Sequence, residues 1–360
     1  MSYKKLVKYD YFRQLSLFRK YRKTKEKKKE RNKRKNSLRR SFETNRGRPV
    51  YQTIPEYTIH AGTAFSLLEN PENVIRLVNE IDSFKIGDNK FKRILIDLSE
   101  ITTIDIGSIS FLLAKVHEMN RIGKIQIWGN MPKDKSCQQV FIDSGFLDYM
   151  RDLSGNKFER HGDNYLVNIG SDRTLNEKVG KSIQNSIKHL TTEKDHFPPV
   201  FSIVQEMCSN SVEHANTENI HKNWFLGVNC VKGSENQNPH IIFTMTDVGF
   251  GILKTIKRKF GTKIKELMEN KTDWEILHRA FQKQYQSKTE EINRNRGLPR
   301  ILDIKEKNYI KDLKVITNNV FLDFDNLDSS KILSKNLPGT FYYWKIDLNC
   351  IEIWNQVGTN

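Results

Sequence analysis

Between Glu56 and Asp152 short β-rich runs alternate with amphipathic helical runs, and this alternation narrows the possible folds more than any other feature of the chain. The runs "EYTIHA", "RILIDLS" and "KIQIWG" read as strands. Between the first two, "PENVIRLVNEIDSF" sets Val74, Ile75, Leu77, Val78 and Ile81 at helical spacing. "DIGSISFLLAKVHEMNRIG" opens on Asp105, a good N-cap, and stops at Gly123. "KSCQQVFIDSGFLDYM" reads as a helix broken at Gly145. Strands joined through helices predict a partly parallel sheet with helices packed on it, an α/β fold.

The polar, glycine-bearing stretch from Arg151 to Asn164 reads as a boundary, so the alternating part is placed at 51–152 and a second domain at 165–350. The second domain has a different rhythm. A helix in "TLNEKVGKSIQNSIKHL" is followed by a restart at "FPPVF", with proline suited to a first turn. Two β-rich runs, "WFLGVNCV" and "HIIFTMTD", flank the loop "KGSENQNP". A charged, helix-leaning stretch covers about 252–296. A short helix in "LPRILDIKEKN", the strands "LKVITN" and "VFLDF", and a last strand in "PGTFYYWKIDLN" complete it.

Charge divides the chain more sharply than any motif. Residues 1–50 hold 20 Lys and Arg against 4 Asp and Glu, whereas the other 310 residues hold 40 against 39. The net charge of +17 therefore belongs to a low-complexity basic tail, "FRKYRKTKEKKKERNKRKNSLRR", expected to be disordered or to become helical on a partner. Such a run suits nucleic-acid phosphates or an anionic lipid surface. No apolar stretch approaches the roughly 18 residues of a spanning helix, and the N-terminus lacks a signal-peptide apolar core. Cys137, Cys208, Cys230 and Cys350 lie far apart without a C-x-x-C pair. That spacing predicts buried free thiols in a reducing compartment, hence a cytoplasmic protein.

The stretch "EMCSNSVEHA" carries Glu206, Asn210 and His214 at four-residue steps, so a carboxylate, an amide and an imidazole share one helix face. Downstream, "TDVGFG" ends a strand with Asp247, Gly249 and Gly251, "RGLPR" places Gly297 at a helix start, and "PGTF" places Thr340 at the opening of the last strand. Taken alone, each reads as a solvated face or a turn.

In this order, over about Phe197 to Leu348, the pieces resemble the GHKL ATPase family, which includes gyrase B, MutL and the histidine and anti-sigma kinases. The resemblance implies a Bergerat-type α/β sandwich that binds ATP with Mg²⁺. It assigns Asn210 to the metal, Asp247 to the adenine amino group, and Gly249 and Gly251 to the turn beside the base. It further assigns Gly297 to the phosphates, Thr340 to support of the adenine, and Glu206 to polarising the attacking water as general base. The stretch at 252–296 would be the lid over the nucleotide. "RGLPR" departs from the family in carrying Pro299 where more glycine is usual, with Arg294, Arg296 and Arg300 close by to add charge.

Residues 94–129 are similar to the STAS domain of anti-sigma-factor antagonists, in which a serine directly after an aspartate is phosphorylated. Here Ile106 follows Asp105, and Ser108 and Ser110 stand near at a different spacing. The whole therefore reads as a basic tail at 1–50, a STAS-like α/β domain and a GHKL domain, a combination whose resemblance is to bacterial proteins. The function expected first is a nucleotide-gated regulatory ATPase or adaptor that meets a protein partner through the STAS-like domain. The alternatives are an anti-sigma-type serine/threonine kinase and a nucleic-acid-associated ATPase using the tail. A histidine kinase is disfavoured, because His189 lies in "KHLTTEKDHF", without the residues that surround a phosphoacceptor histidine.

Overall fold

The helical run after Asn70 begins as its residues require. In a computed structural model of the chain it spans Pro71–Ser83 (α1), the Asn70 side chain accepts a hydrogen bond from the Asn73 amide, and Pro71 sits where a missing N–H costs no helical bond. The structure describes residue 26 and residues 56–84, 91, 93–122, 125–152, 155–158, 165–169, 177–191, 196–214, 224–235, 237–258, 271–282 and 297–357. The chain divides into Met1–Ile54 and Pro55–Asn360. The basic tail at 1–50 lies outside the described residues except for Glu26.

The protein is mixed α/β. Strands β1 (Glu56–His60), β3 (Arg93–Asp97) and β5 (Gln126–Gly129) form a parallel sheet in the order β1-β3-β5. A short parallel pair joins β2 (Ala64–Phe65) to β4 (Thr103–Ile104). Helix α2 (Ile106–Ile122) starts where Asp105 places its carboxylate on the Ser108 amide, 2.6 Å away. Helix α3 (Lys135–Asp143) ends shortly before Gly145, whose φ of 78° turns the chain into a 3-10 segment at Phe146–Tyr149.

The second half is built on one antiparallel sheet in the order β6-β7-β8-β10-β9. Its strands are Tyr165–Ile169 (β6), Trp224–Val231 (β7), His240–Asp247 (β8), Lys311–Asp323 (β9) and Lys331–Asp347 (β10). Its helices are Glu177–Ile187 (α4), Pro198–His214 (α5), Asp273–Phe281 (α6), Gly297–Glu306 (α7) and Leu348–Val357 (α8), and residues 252–258 are also helical. The runs "LKVITN" and "VFLDF", read above as two strands, are one strand β9 with an irregular register around Asn318.

Alternation sends the two faces of this sheet to different cores. Trp224, Leu226, Phe243, Met245, Tyr342 and Trp344 join the side chains of α4, α5, α6 and α7. Phe225, Ile316, Phe341 and Tyr343 face the other way and share a cluster with Ile59, Val78, Phe111 and Leu112 from the first half. A sheet buried on both faces accounts for the nearly continuous apolar runs "WFLGVNCV" and "TFYYW".

Polar contacts add to that junction. Ser110 on α2 meets Thr244 on β8 at 3.2 Å between hydroxyl oxygens. On α1, Glu72 accepts two 2.6 Å bonds from the amide and hydroxyl of Ser334, and Asn79 donates to the Asn336 carbonyl oxygen at 3.1 Å. Helices α1 and α2 are joined through Lys115, 1% exposed, which reaches Asp82 at 2.8 Å and Glu118 at 3.0 Å. Cys137, Cys208 and Cys350 are free, buried thiols, as their spacing predicts, whereas Cys230, near the end of β7, is only partly buried. Among the described residues no helix is long and apolar enough to cross a membrane.

Candidate functional site

Helix α5 presents Ser202, Glu206 and Asn210 at four-residue steps, and Ser211 follows directly. The face opposite holds Val204, Met207 and Cys208 in the core. This burial roots the helix and leaves its polar row facing the start of α7.

Gly297 is the point of contact. A Cβ added there would lie 3.0 Å from Glu206 Oε2 and 3.3 Å from both amide atoms of Asn210. A methyl group there would be tight against these side-chain ends, so glycine eases the close approach of the first turn of α7 to the polar row. Asn210 Nδ2 is buried at this junction with no hydrogen-bond partner among the described residues, a costly arrangement that a ligand would relieve. Pro299 falls in the first turn of α7, where its missing N–H breaks no helical bond. Arg300, one residue on, donates to Glu206 Oε1 at 3.0 Å and to Ser202 Oγ at 3.2 Å.

Asp247 closes the other end of the row. Its Oδ2 accepts from Ser211 Oγ at 3.2 Å and its Oδ1 from the Gly249 amide at 2.9 Å. Burial pushes its carboxyl above the ordinary carboxylate value, while the bonds from Gly249, Ser211 and Thr340 pull it back only in part. Thr340 is buried and stands opposite Asp247 in the β8–β10 ladder. Gly339, with φ of 128°, brings β10 so close that an added Cβ would meet the Asp247 carbonyl oxygen at 2.0 Å.

Two residues that sequence reasoning missed hold the glycine turn. Asn318 has φ of 53°, and its amide donates to the Phe250 carbonyl oxygen at 2.9 Å and accepts from the Lys254 amide at 3.2 Å. Thr317 Oγ1 accepts from the Ile252 amide at 2.8 Å and lies 3.3 Å from the Thr340 hydroxyl oxygen. Gly251, with φ of 81°, passes so near that an added Cβ would lie 2.5 Å from Asn318 Oδ1. The asparagine pair in "TNNV" is the only signal for this, since asparagine tolerates the left-handed region.

Glu206, Asn210 and Gly297 thus meet at one junction, and Asp247, Gly249, Gly251 and Thr340 meet around the end of β8. Ser211, next to Asn210, connects the two groups. The side chain of His214, the residues Arg294 and Arg296, and most of the stretch at 252–296 lie outside the described residues, which include only 252–258 and 271–282 of that stretch. Among the described residues no three His, Cys, Asp or Glu gather to hold a metal ion. Ser108 and Ser110 are fully buried, and the Ser108 hydroxyl donates to the Phe65 carbonyl oxygen at 2.7 Å. No family model matches the chain, nor does any curated protein or solved structure.

Proposed function

We propose that residues 165–350 form a Bergerat-type domain binding ATP with Mg²⁺, and that the preceding STAS-like layer makes the chain a nucleotide-gated regulatory ATPase or adaptor. The observation that carries this reading is the junction of Gly297 with Glu206 and Asn210, where an amide nitrogen is buried without a partner among the described residues. A parallel sheet with α1 and α2, followed by an antiparallel sheet with α4–α7 on one face, is compatible with these two folds.

The chemistry follows from the donor set. Asp247 is an acceptor poised for an adenine amino group, and a guanine would present a carbonyl oxygen to it instead. The Gly249 amide orients that carboxylate, and Thr340 lies beside it. The first amides of α7 lie outside its own helical ladder, and with the positive helix end they suit phosphates. Asn210 Oδ1 is a neutral oxygen of the kind Mg²⁺ takes, and that ion supplies neutralisation of phosphate charge. Glu206 is the candidate base that takes a proton from an attacking water.

Burial of Ser108 and Ser110 argues against phosphoryl transfer to the chain's own STAS-like layer and favours gating over a self-directed kinase. Calorimetric titration with Mg-ATP tests the reading. Wild type is expected to bind ATP in preference to GTP, and Asp247→Asn to bind roughly 30-fold more weakly, for a loss of about 2 kcal/mol at a buried acceptor. Absence of ATP binding by the folded wild type overturns it.

A further inference from the structure

Sequence assigns Arg300 only a general part in adding charge beside Gly297, and the structure gives it two definite partners. Its guanidinium is held on two points of α5, Glu206 Oε1 at 3.0 Å and Ser202 Oγ at 3.2 Å. The side chain remains 53% exposed, and that of Glu206 22%. Five N–H donors in a planar fork leave several unspent after these two bonds. An ion pair so exposed contributes little to stability, so tethering α7 to α5 is a weak reason for it.

Position is more informative. Along α5 the order is Ser202, Glu206, Asn210 and Ser211, and Asp247 bonds Ser211. A nucleotide lying along this row with its base at Asp247 directs its phosphates toward Asn210 and Gly297. Its terminal phosphoryl then arrives at Glu206 and Arg300. A carboxylate alone at that end would repel it. A guanidinium already on that carboxylate cancels the repulsion and can move onto the phosphate oxygens, which carry more charge and match its fork.

We propose that Arg300 is the residue that distinguishes a nucleoside triphosphate from a diphosphate, and that its ion pair with Glu206 is a latch opened by the terminal phosphoryl group. With the latch closed, Glu206 is occupied by a cation and is a poor base. With Arg300 on the phosphate, Glu206 is free to accept a proton from water. The inference rests on the nucleotide reading above and adds to it how the site senses phosphate number.

The full chain is titrated with Mg-ADP and with the Mg complex of a β,γ-imido ATP analogue, with thermal melting as a check on folding. Wild type is expected to bind the analogue more tightly than ADP. Arg300→Gln is expected to weaken the analogue roughly 10- to 100-fold, the loss of one charge-assisted contact, and to leave ADP within about twofold. Arg300→Lys, which keeps the charge without the fork, is expected to fall between. Glu206→Gln removes the competing carboxylate and is expected to tighten the analogue and not ADP. Equal weakening of both ligands in Arg300→Gln, no weakening of either, or looser analogue binding in Glu206→Gln reduces Arg300 to a tether and overturns the latch. ADP and analogue binding equally to wild type removes the discrimination. Binding of neither ends the nucleotide reading itself and this inference with it.

Discussion

Asp247 and Asn318 show how single side chains set the site's chemistry and its shape. The Asp247 carboxyl is raised above its ordinary value chiefly by burial. A carboxyl with a raised folded-state value costs folding stability as pH climbs from the ordinary value of 3.8 through the raised one, and that cost persists above it. The ionised acceptor exists only on the high side, so nucleotide affinity is expected to fall on acidification before an ordinary carboxylate would protonate. Asp247→Asn should flatten that profile, as titrations at several pH values will report. Asn318 acts through geometry. Asn318→Gly keeps the left-handed backbone accessible but removes two bonds to the glycine turn, for a loss of about 2 kcal/mol at roughly 1 each. Asn318→Ala adds left-handed strain of about 1 kcal/mol. ATP affinity is expected to drop in both, and melting temperature further in Asn318→Ala. The turn after Asp247 was legible in the sequence, because a strand ending in "TDVGFG" carries its own turn chemistry, whereas its assignment to a site came only from the order of the motifs. The clamp was not legible, because Asn318 lies 71 residues after Asp247 and meets the turn only once β9 pairs with β10.

Among the elements, α2 depends closely on a neighbour distant in sequence. Gly107 in its first turn lies against the Phe341 ring, where an added Cβ would approach to 2.4 Å. Phe341 is next to Thr340 on β10, and alternation puts one residue toward α2 and the other beside Asp247. Gly107→Ala is expected to destabilise the chain by about 1–3 kcal/mol through overpacking, and Phe341→Leu to return part of that loss. A double-mutant cycle on denaturant midpoints measures the coupling. Helix ends were readable from sequence where caps are local, as at Asp105. Strand ends were not. β10 begins at Lys331, ahead of the proline and glycine at 338 and 339 where the sequence places its start, because pairing with β9 carries the ladder through irregular register.

For the whole molecule, the consequential feature is the second face of the large sheet. Phe225, Ile316, Phe341 and Tyr343 are buried by the helices and strands of the first half. At about 25 cal/mol for each Å² of apolar surface, exposing four such side chains costs several kcal/mol and leaves an apolar patch. A chain of residues 165–360 made alone is therefore expected to aggregate or bind a hydrophobic dye, and co-expression with residues 51–164 to restore solubility. Recovery of a soluble, cooperatively melting fragment 165–360 on its own would contradict this.

Local pattern was sufficient for the α/β class, most helices, the free cysteines and the polar row on α5, since each depends on spacing within a few turns or on composition. Whether Glu206 and Asn210 face solvent or a second helix start depends on α7, about 90 residues later. Whether "WFLGVNCV" has one buried face or two depends on α2, which precedes it by about 100 residues. Periodicity reports which side chains avoid water, and only packing determines which neighbour covers them. The pairing of Arg300 with Glu206 belongs to that second kind of information, because charges 94 residues apart in the chain carry no shared pattern until two helices bring them to 3.0 Å.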